Sequence, residues 1–317
     1  MCDLDELFRT LKTPLDEDML APLSSQCECL QFAEPLRPQE YERVAEFLQD
    51  YPNIKLRAFH YDAFQDLSFL RHFQSVRRFQ IDCWELRSLQ GIEYLPDNLE
   101  CFSLGQTRTR AISLRPLGRF ASLRELYLEG QTKNFDVVSQ LRTLEKLTLR
   151  SITLPTLEPL TPLKNLWWLA IKLGGTKDLS LLPRIGRLKY LELWLIRGLA
   201  DIRPIADLEH LQYLFLQALR NVERLPPLGR LTKLRLVYLE TMRGLRDLSP
   251  LLGAPRLEEL MVVAAEHMQP DDFRCLVAHP TLRHITAGLG SDRKNRAVKE
   301  LFPPPRFTEA PRRFEFD

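Results

Sequence analysis

The sequence has almost no surplus of charge, since 44 basic and 42 acidic side chains leave a formal net charge of +2. A chain that binds nucleic acid or an anionic membrane through its overall field carries a larger positive surplus. We therefore expect neither nucleic acid nor a membrane as partner. No apolar run approaches the ~18 residues that a membrane span needs, and the acidic first residues lack the features of a secretory signal. We expect a cytoplasmic protein.

The sequence also lacks the residue spacings that are typical of metal sites, disulfide frameworks or nucleotide-binding sites. Its six cysteines form no CxxC pair and its six histidines form no HxxH or HExxH pattern, so we expect reduced thiols and no metal. The motifs GxxxxGK[ST], GxGxxG and GxSxG do not occur, and scattered carboxylates cannot be assigned as acid and base. We expect no cofactor, no catalytic residues and no enzyme activity.

What the chain does have is an internal repeat, L-x-x-L-x-L, which recurs through most of its length. Nine clear instances begin at residues 99, 123, 144, 166, 188, 211, 234, 257 and 282, with a fair match at 76 and weaker ones at 27 and 54. Successive starts from 76 onward lie 21–25 residues apart. A chance pattern would not keep that spacing across so many intervals, so the repeat is structural.

Each repeat predicts one short strand, because its leucines alternate with other residues and so face one side. A single repeat cannot bury its own leucines, and stacked repeats build a continuous core beside a parallel sheet. Between strands the apolar residues recur every three positions, which suits 3₁₀-like turns better than an α-helix. Five prolines, each seven residues before the first leucine of the next motif, support this: Pro116, Pro159, Pro204, Pro227 and Pro250.

These motifs resemble the leucine-rich repeat family, in its short-repeat, internalin-like class. The resemblance is strong over 76–288 and loose over 27–75. It implies an α/β fold: a leucine-rich repeat solenoid with a curved parallel sheet, a thin irregular or 3₁₀ convex wall and helical caps. The asparagine that this family places after each strand is absent, and we expect apolar packing at that corner. Gly198, Asn221 and Gly244 are candidates for positive φ there.

We expect three segments along the chain. Residues 1–75 form an N-terminal cap with degenerate first repeats, 76–288 form the leucine-rich repeat array, and 289–317 form a C-terminal cap helix and tail. Helical spacing at 3–12, 38–50 and 291–302 supports the caps, with Ser291 as N-cap of the last helix. Terminal repeats need such a polar cover for their exposed core, although the last helix could instead be a basic docking helix.

In this fold the third, fifth and seventh motif positions project from the concave sheet face. In the middle of the array these positions include eight large apolar or aromatic residues: Trp168, Tyr190, Trp194, Tyr213, Phe215, Leu236, Tyr238 and Met261. An exposed patch of that kind marks a binding site, and we predict that these residues bind a partner. A polar rim is predicted around them: Tyr127, Glu129, Arg150, Lys172, Glu192 and Glu240.

The aromatic residues could also serve the chain itself, in either of two ways. Neighbouring rings on a sheet stack across strands and stabilise it without any ligand. The C-terminal tail, with Phe307, Phe314 and Phe316, could fold back over them. Both possibilities stay open alongside partner binding.

The function that we predict is a non-catalytic protein-binding scaffold or regulatory subunit, including an immunity-type inhibitor of a toxin. The alternative is a carbohydrate-binding module, because aromatic platforms also stack on sugar rings. Local basic residues offer a weaker case for nucleic acid: Arg77, Arg78, Arg108, Arg110, Arg115 and Arg119. They do not form a contiguous stripe, and we interpret them as a solvated surface.

Overall fold

The computed structural model describes residues 7–302 and 314–317. The chain divides into two compact units, residues 1–147 and 148–317. This division is independent of the predicted cap boundaries at residues 75 and 288, which stay predictions.

The first unit contains parallel strands that pair in chain order. They are β1 (Phe8–Leu11), β2 (Cys29–Phe32), β3 (Lys55–His60), β4 (Arg78–Cys83), β5 (Cys101–Leu104) and β6 (Glu125–Glu129). Helix α1 (Pro38–Phe47) follows β2 as predicted. The predicted helix over 3–12 is wrong for Phe8–Leu11, because these residues pair with β2 as a strand. Strand β7 (Lys146–Arg150) spans the division between the units.

The second unit repeats the same plan with parallel strands in chain order. They are β8 (Trp168–Lys172), β9 (Tyr190–Trp194), β10 (Tyr213–Gln217), β11 (Leu236–Glu240), β12 (Glu259–Val263) and β13 (His284–Ala287). Helix α2 (Asp292–Leu301) follows with Ser291 at its N-cap, as predicted. The register aligns equivalent leucines from strand to strand, such as Leu191 beside Leu214, and both are 0% exposed. Burial of these aligned side chains is the main stabilising contribution.

The segments between strands are short 3₁₀ helices in most repeats. Pro116, Pro159, Pro204 and Pro250 each stand in one of the first two positions of such a helix, where a missing N–H does no harm. The predicted α/β leucine-rich repeat solenoid, with a parallel sheet and a 3₁₀ wall, is confirmed in each unit.

The turn after each strand is made differently from the prediction. Gly198 has positive φ as expected, but Asn221 and Gly244 do not. Gly244 is constrained by space instead, since a Cβ there would lie 2.6 Å from the carbonyl oxygen of Arg220. The left-handed residue is the one directly after each strand from β6 to β12: Gly130, Ser151, Leu173, Leu195, Ala218, Thr241 and Ala264.

Six of those seven left-handed residues carry a side chain, which costs about 1–2 kcal/mol each in intrinsic conformational preference. The backbone hydrogen bonds offset this. The amide of Leu195 donates to the carbonyl of Gln217 at 2.8 Å, and that of Ala218 donates to Glu240 at 2.9 Å. Repetition of this bond along the strand ends fixes the turn in a conformation that the residue types alone do not favour.

The corner where the family usually places asparagine is apolar in the second unit, as predicted. Ile152, Ile196, Leu219, Met242 and Ala265 are all buried. In the first unit Gln131 is fully buried there, and its side-chain amide donates to Thr107 and to the Thr109 carbonyl. In the first unit the Gln131 side chain therefore forms hydrogen bonds to the preceding turn at the corner that apolar residues occupy in the second unit.

Candidate functional site

The aromatic residues predicted from the third, fifth and seventh motif positions lie together on the sheet face of the second unit. The rings of Trp168 and Tyr190 stack with centroids 3.6 Å apart, and Tyr213 meets Tyr190 edge-on at 5.0 Å. Phe215 and Tyr238 form a second stack at 4.5 Å. We call the side chains of β8 to β12 on this side the aromatic face.

The aromatic face is less open than an uncovered sheet would be. Tyr190 and Leu236 are buried, at 5% and 4% exposure. The other predicted members are half-buried: Trp168, Trp194, Tyr213, Phe215, Tyr238 and Met261. Cross-strand stacking and contact with another segment of the chain both contribute to this burial.

Glu192, predicted as a member of the charged rim, is buried in the centre of the aromatic face at 5% exposure. Its carboxylate pairs with the Lys172 ammonium at 2.8 Å and accepts a hydrogen bond from the Tyr190 hydroxyl at 3.0 Å. A buried carboxylate needs such partners because desolvation disfavours its charged form. Glu192 therefore fixes Tyr190 and Lys172 in place, and it does not contribute to a solvent-exposed rim.

The rest of the predicted rim is half-buried and well supplied with partners. Arg150 and Lys172 lie over the Trp194 ring, at 5.4 and 5.9 Å from its centroid, within cation–π range. Glu240 accepts a hydrogen bond from the Gln217 amide at 2.8 Å.

Two predicted rim residues belong to the first unit. There the Tyr127 hydroxyl donates to the Glu129 carboxylate at 2.8 Å. As partner-binding residues, both stay predictions.

The tyrosines of the aromatic face are held in their neutral form. Burial, followed by the negative charge of Glu192, raises the pKa of Tyr190 far above its usual range. Burial and the neighbouring Tyr238 raise the pKa of Tyr213 to about 12. The pKa of Tyr238 is also raised, by burial and then by Glu240. Tyrosine is already neutral at physiological pH, and these higher pKa values keep the three hydroxyls neutral in more alkaline solution as well.

Residues 314–317, which we call the tail segment, lie on the aromatic face. The ring of Phe316 lies 5.3 Å from Trp167, 5.9 Å from Trp168 and 6.3 Å from Tyr190. Phe314 lies 5.4 Å from Tyr213 and 4.8 Å from Phe316. The covering by Phe314 and Phe316 that the sequence left open is therefore present. Phe307, the third phenylalanine of that alternative, lies outside the described residues.

The second motif position, which sequence reasoning passed over, supplies the polar contacts to the tail segment. The Gln212 side chain accepts from the Asp317 amide at 3.1 Å, and the Arg235 guanidinium donates to the Glu315 carbonyl at 3.1 Å. The Lys189 ammonium donates to the Asp317 carbonyl. Lys189, Gln212 and Arg235 stand 23 residues apart, so they line one edge of the strands β9 to β11.

A signal for this edge was present in the sequence. Elsewhere the second position carries charges of alternating sign that pair between repeats, as in Arg77 with Glu100 at 3.1 Å and Arg124 with Glu145 at 2.7 Å. The alternation is interrupted by Trp167, Lys189 and Gln212. That interruption coincides with the tail segment and could have marked it.

A cleft of about 890 Å³ in the first unit is a weaker candidate. Arg57 and Arg78 line it, but they already pair with Asp82 at 2.6 Å and Glu125 at 3.0 Å. Their charge is therefore largely neutralised before any ligand arrives.

Within residues 7–302 and 314–317, no three acidic, histidine or cysteine side chains come together as metal ligands. In the same part of the chain, every helix is too short or too polar to cross a membrane.

No protein-family model and no curated protein matches this chain. Among solved structures, an internalin of Listeria monocytogenes is similar with a TM-score of 0.53 at 15% identity, covering 90% of this chain and 82% of the internalin. A TLR13–ssRNA13 complex gives a TM-score of 0.53 at 16% identity, covering 85% of this chain and 44% of the matched chain.

A leucine-rich repeat protein of Leptospira interrogans gives a TM-score of 0.47 at 14% identity, covering 90% of each chain. At these identities the likeness shows the fold alone. The similarity to the internalin therefore confirms the predicted resemblance to the internalin-like leucine-rich repeat class at the level of the fold.

Proposed function

We propose that this chain, which has the internalin-like leucine-rich repeat fold, is a non-catalytic scaffold that binds a protein partner through its aromatic face. The observation that carries the proposal is the tail segment. Its two phenylalanine rings and its backbone are bound by aromatic and polar side chains of the second unit. A face that already holds four residues of polypeptide has the chemistry to hold another.

The contacts favour a peptide over a sugar. A platform for carbohydrate offers ring faces to solvent, whereas one face of Trp168 is covered by Tyr190, and one face of Phe215 by Tyr238. The side chains at the strand edge are bonded to main-chain N–H and C=O groups of the tail segment. Trp, Tyr and Arg together are typical of protein-interface hot spots. The carbohydrate-binding module therefore remains the second candidate.

The absence of nucleic acid and of a membrane as partners stays a prediction. One structural neighbour is a TLR13–ssRNA13 complex, so fold alone does not argue against nucleic acid. The charges of this chain supply the argument. Four of the six arginines considered from the sequence pair with carboxylates: Arg77 with Glu100, Arg78 with Glu125, Arg108 with Glu85 and Arg119 with Asp97. Paired arginines are poorer phosphate ligands than free ones. The cytoplasmic location is likewise a prediction.

The test uses the purified full chain against a displayed library of random peptides, a glycan array and a panel of single-stranded oligonucleotides. We expect selected peptides to bind, and binding to be lost in the Trp168→Ala/Tyr213→Ala variant. Tyr94→Ala is the matched control, because it removes a 42%-exposed ring from a 3₁₀ turn of the first unit. Specific glycan or oligonucleotide hits that the double variant loses, with no peptide selected, would replace the proposal.

A further inference from the structure

We propose, building on the proposed function, that the aromatic face recognises an extended peptide of pattern aromatic-x-aromatic-acidic, and that the tail segment occupies this site as an intramolecular competitor. The partner is thus a protein whose binding segment has the chemistry of residues 314–317, Phe-Glu-Phe-Asp. The chain regulates its own site, because a partner must displace the tail segment before it can bind.

Exposure alternates along the tail segment: Phe314 and Phe316 are half-buried, while Glu315 and Asp317 are exposed. This alternation is typical of an extended peptide, in which successive side chains point to opposite sides. The first and third positions therefore face the protein, and the second faces solvent, where any residue is accepted.

The first and third positions of the peptide are aromatic because each binds in a site lined by aromatic or cationic side chains. Phe316 enters the site formed by Trp167, Trp168 and Tyr190. Phe314 enters the site formed by Tyr213 and the Arg235 guanidinium, whose central carbon lies 5.1 Å from the ring centroid. Edge-on and tilted ring contacts of this kind need a π system in the ligand. An aliphatic side chain fills the same space without them.

The fourth position favours an acidic residue through one weak contact at the strand edge. One carboxylate oxygen of Asp317, whose side chain is 67% exposed, lies 3.5 Å from the Arg235 guanidinium, and this guanidinium also pairs with Glu258 at 3.4 Å. The other polar contacts at this edge reach main-chain atoms: Gln212 to the Asp317 amide, Arg235 to the Glu315 carbonyl and Lys189 to the Asp317 carbonyl. Main-chain contacts hold any peptide in this register, so a partner segment of the same pattern can replace the tail segment.

Competition follows from connectivity. A segment on the same chain acts at an effective concentration on the order of mM for a short tether. If it occupies the site in about nine-tenths of the molecules, the apparent Kd of an external peptide is weakened about tenfold. A full chain whose tail segment lacks its rings should therefore bind an external peptide about tenfold more tightly.

The experiment measures fluorescence anisotropy of a labelled decapeptide carrying Phe-Glu-Phe-Asp between Gly and Ser flanks. The proteins are the wild-type chain, the full-length Phe314→Ala/Phe316→Ala variant and the matched control Glu315→Ala, which changes only an exposed side chain. We expect the double variant to bind about tenfold more tightly than the wild type and the control. Adding Trp168→Ala to the double variant should abolish binding, and an Ala-Glu-Ala-Asp peptide should not bind.

A second readout keeps the test independent of the ligand. Trp167 and Trp168 contact Phe316, so loss of the rings should increase quenching of tryptophan emission by acrylamide in the double variant and in Phe316→Ala alone. Glu315→Ala should leave quenching unchanged. Equal peptide affinity in the wild type and the double variant, together with equal quenching, would overturn the inference.

The two proposals fail in different ways. If library peptides bind and depend on Trp168 and Tyr213, but the Phe-Glu-Phe-Asp peptide neither binds the double variant nor competes with them, the inference is wrong and the proposed function stands. If the library peptides bind equally well to Trp168→Ala/Tyr213→Ala, the proposed site itself is wrong.

Discussion

In the first unit the sheet face is covered by ion pairs, whereas in the second unit the same motif positions carry stacked rings. Arg57 pairs with Asp82 at 2.6 Å, and Glu125 pairs with both Arg78 at 3.0 Å and Lys146 at 3.1 Å. Charged side chains of this kind satisfy one another across strands and need no further cover. The rings of the second unit instead pack against one another, and the tail segment covers those of Trp168, Tyr190 and Tyr213.

The difference shows that the shared arrangement of parallel strands does not determine which side chains occupy the sheet face. Both units bury aligned leucines on one side of parallel strands, so the fold constrains only that side. On the other side, surface ion pairs contribute little stability, about 0–1 kcal/mol each. An aromatic cluster buries far more apolar area and favours association. The first face therefore needs no further cover, whereas the second face is partly covered by the tail segment.

The largest expected effect tests the part that the two units share. Leu128→Ala in the first unit and Leu216→Ala in the second each remove a side chain that is 0% exposed. We expect each substitution to lower the free energy of unfolding by about 2–5 kcal/mol, measured by urea denaturation. A loss in only one unit would contradict the view that the units differ at their faces and not in their cores.

The next effect distinguishes the carboxylates of the two faces. Glu192→Gln removes the charge of a buried group that binds Lys172 and Tyr190, and we expect a loss of about 1–3 kcal/mol. Glu125→Gln removes a partly exposed charge, and we expect a loss of at most about 1 kcal/mol. Both are measured by urea denaturation at neutral pH, and equal losses would remove this distinction.

A smaller effect is expected from removing the contribution of the tail segment to the free energy of unfolding. Phe314→Ala/Phe316→Ala removes half-buried rings from contact with four aromatic side chains, and we expect a loss of about 1–2 kcal/mol in unfolding free energy. Glu315→Ala should change it by less than about 0.5 kcal/mol. If the double variant is as stable as the wild type, the tail segment does not stabilise the aromatic face.

The smallest effect concerns the pH dependence of the first face. Burial of Glu125 opposes ionisation, but the charges of Arg78 and Lys146 outweigh it, and the pKa lies below its usual 4.5. Because the folded pKa is lowered, the stabilisation is present above about pH 4.5 and is lost as the pH falls through the folded value.

The stability difference between wild type and Glu125→Gln, at most about 1 kcal/mol at pH 7, should therefore vanish in acid. Denaturation midpoints of the two proteins between pH 7 and 3 measure it. A difference that grows in acid would reverse the assigned direction of the pKa.

The sequence predicted the repeat, the position of each strand from β4 to β13, the 3₁₀ wall and the two helices α1 and α2. It did so because stacked repeats bury their leucines only if these recur at a regular spacing, and that spacing is visible in the sequence. It did not predict strand β1, whose short apolar spacing fits a helix equally well, nor the left-handed residue after each strand. That turn is set by the hydrogen bond to the next repeat, as from the Leu195 amide to Gln217.

The candidate site divides in the same way. Period and phase alone put Trp168, Tyr190, Tyr213 and their neighbours on one face, because strand side chains alternate. Only the tertiary structure decided that Glu192 is buried between them and that Phe314 and Phe316 cover them. The burial of Glu192 depends on its contacts with Tyr190 and Lys172. The covering depends on contacts between residues as far apart as Trp167 and Phe316, and the periodicity of the repeat does not choose between a covered and an open face.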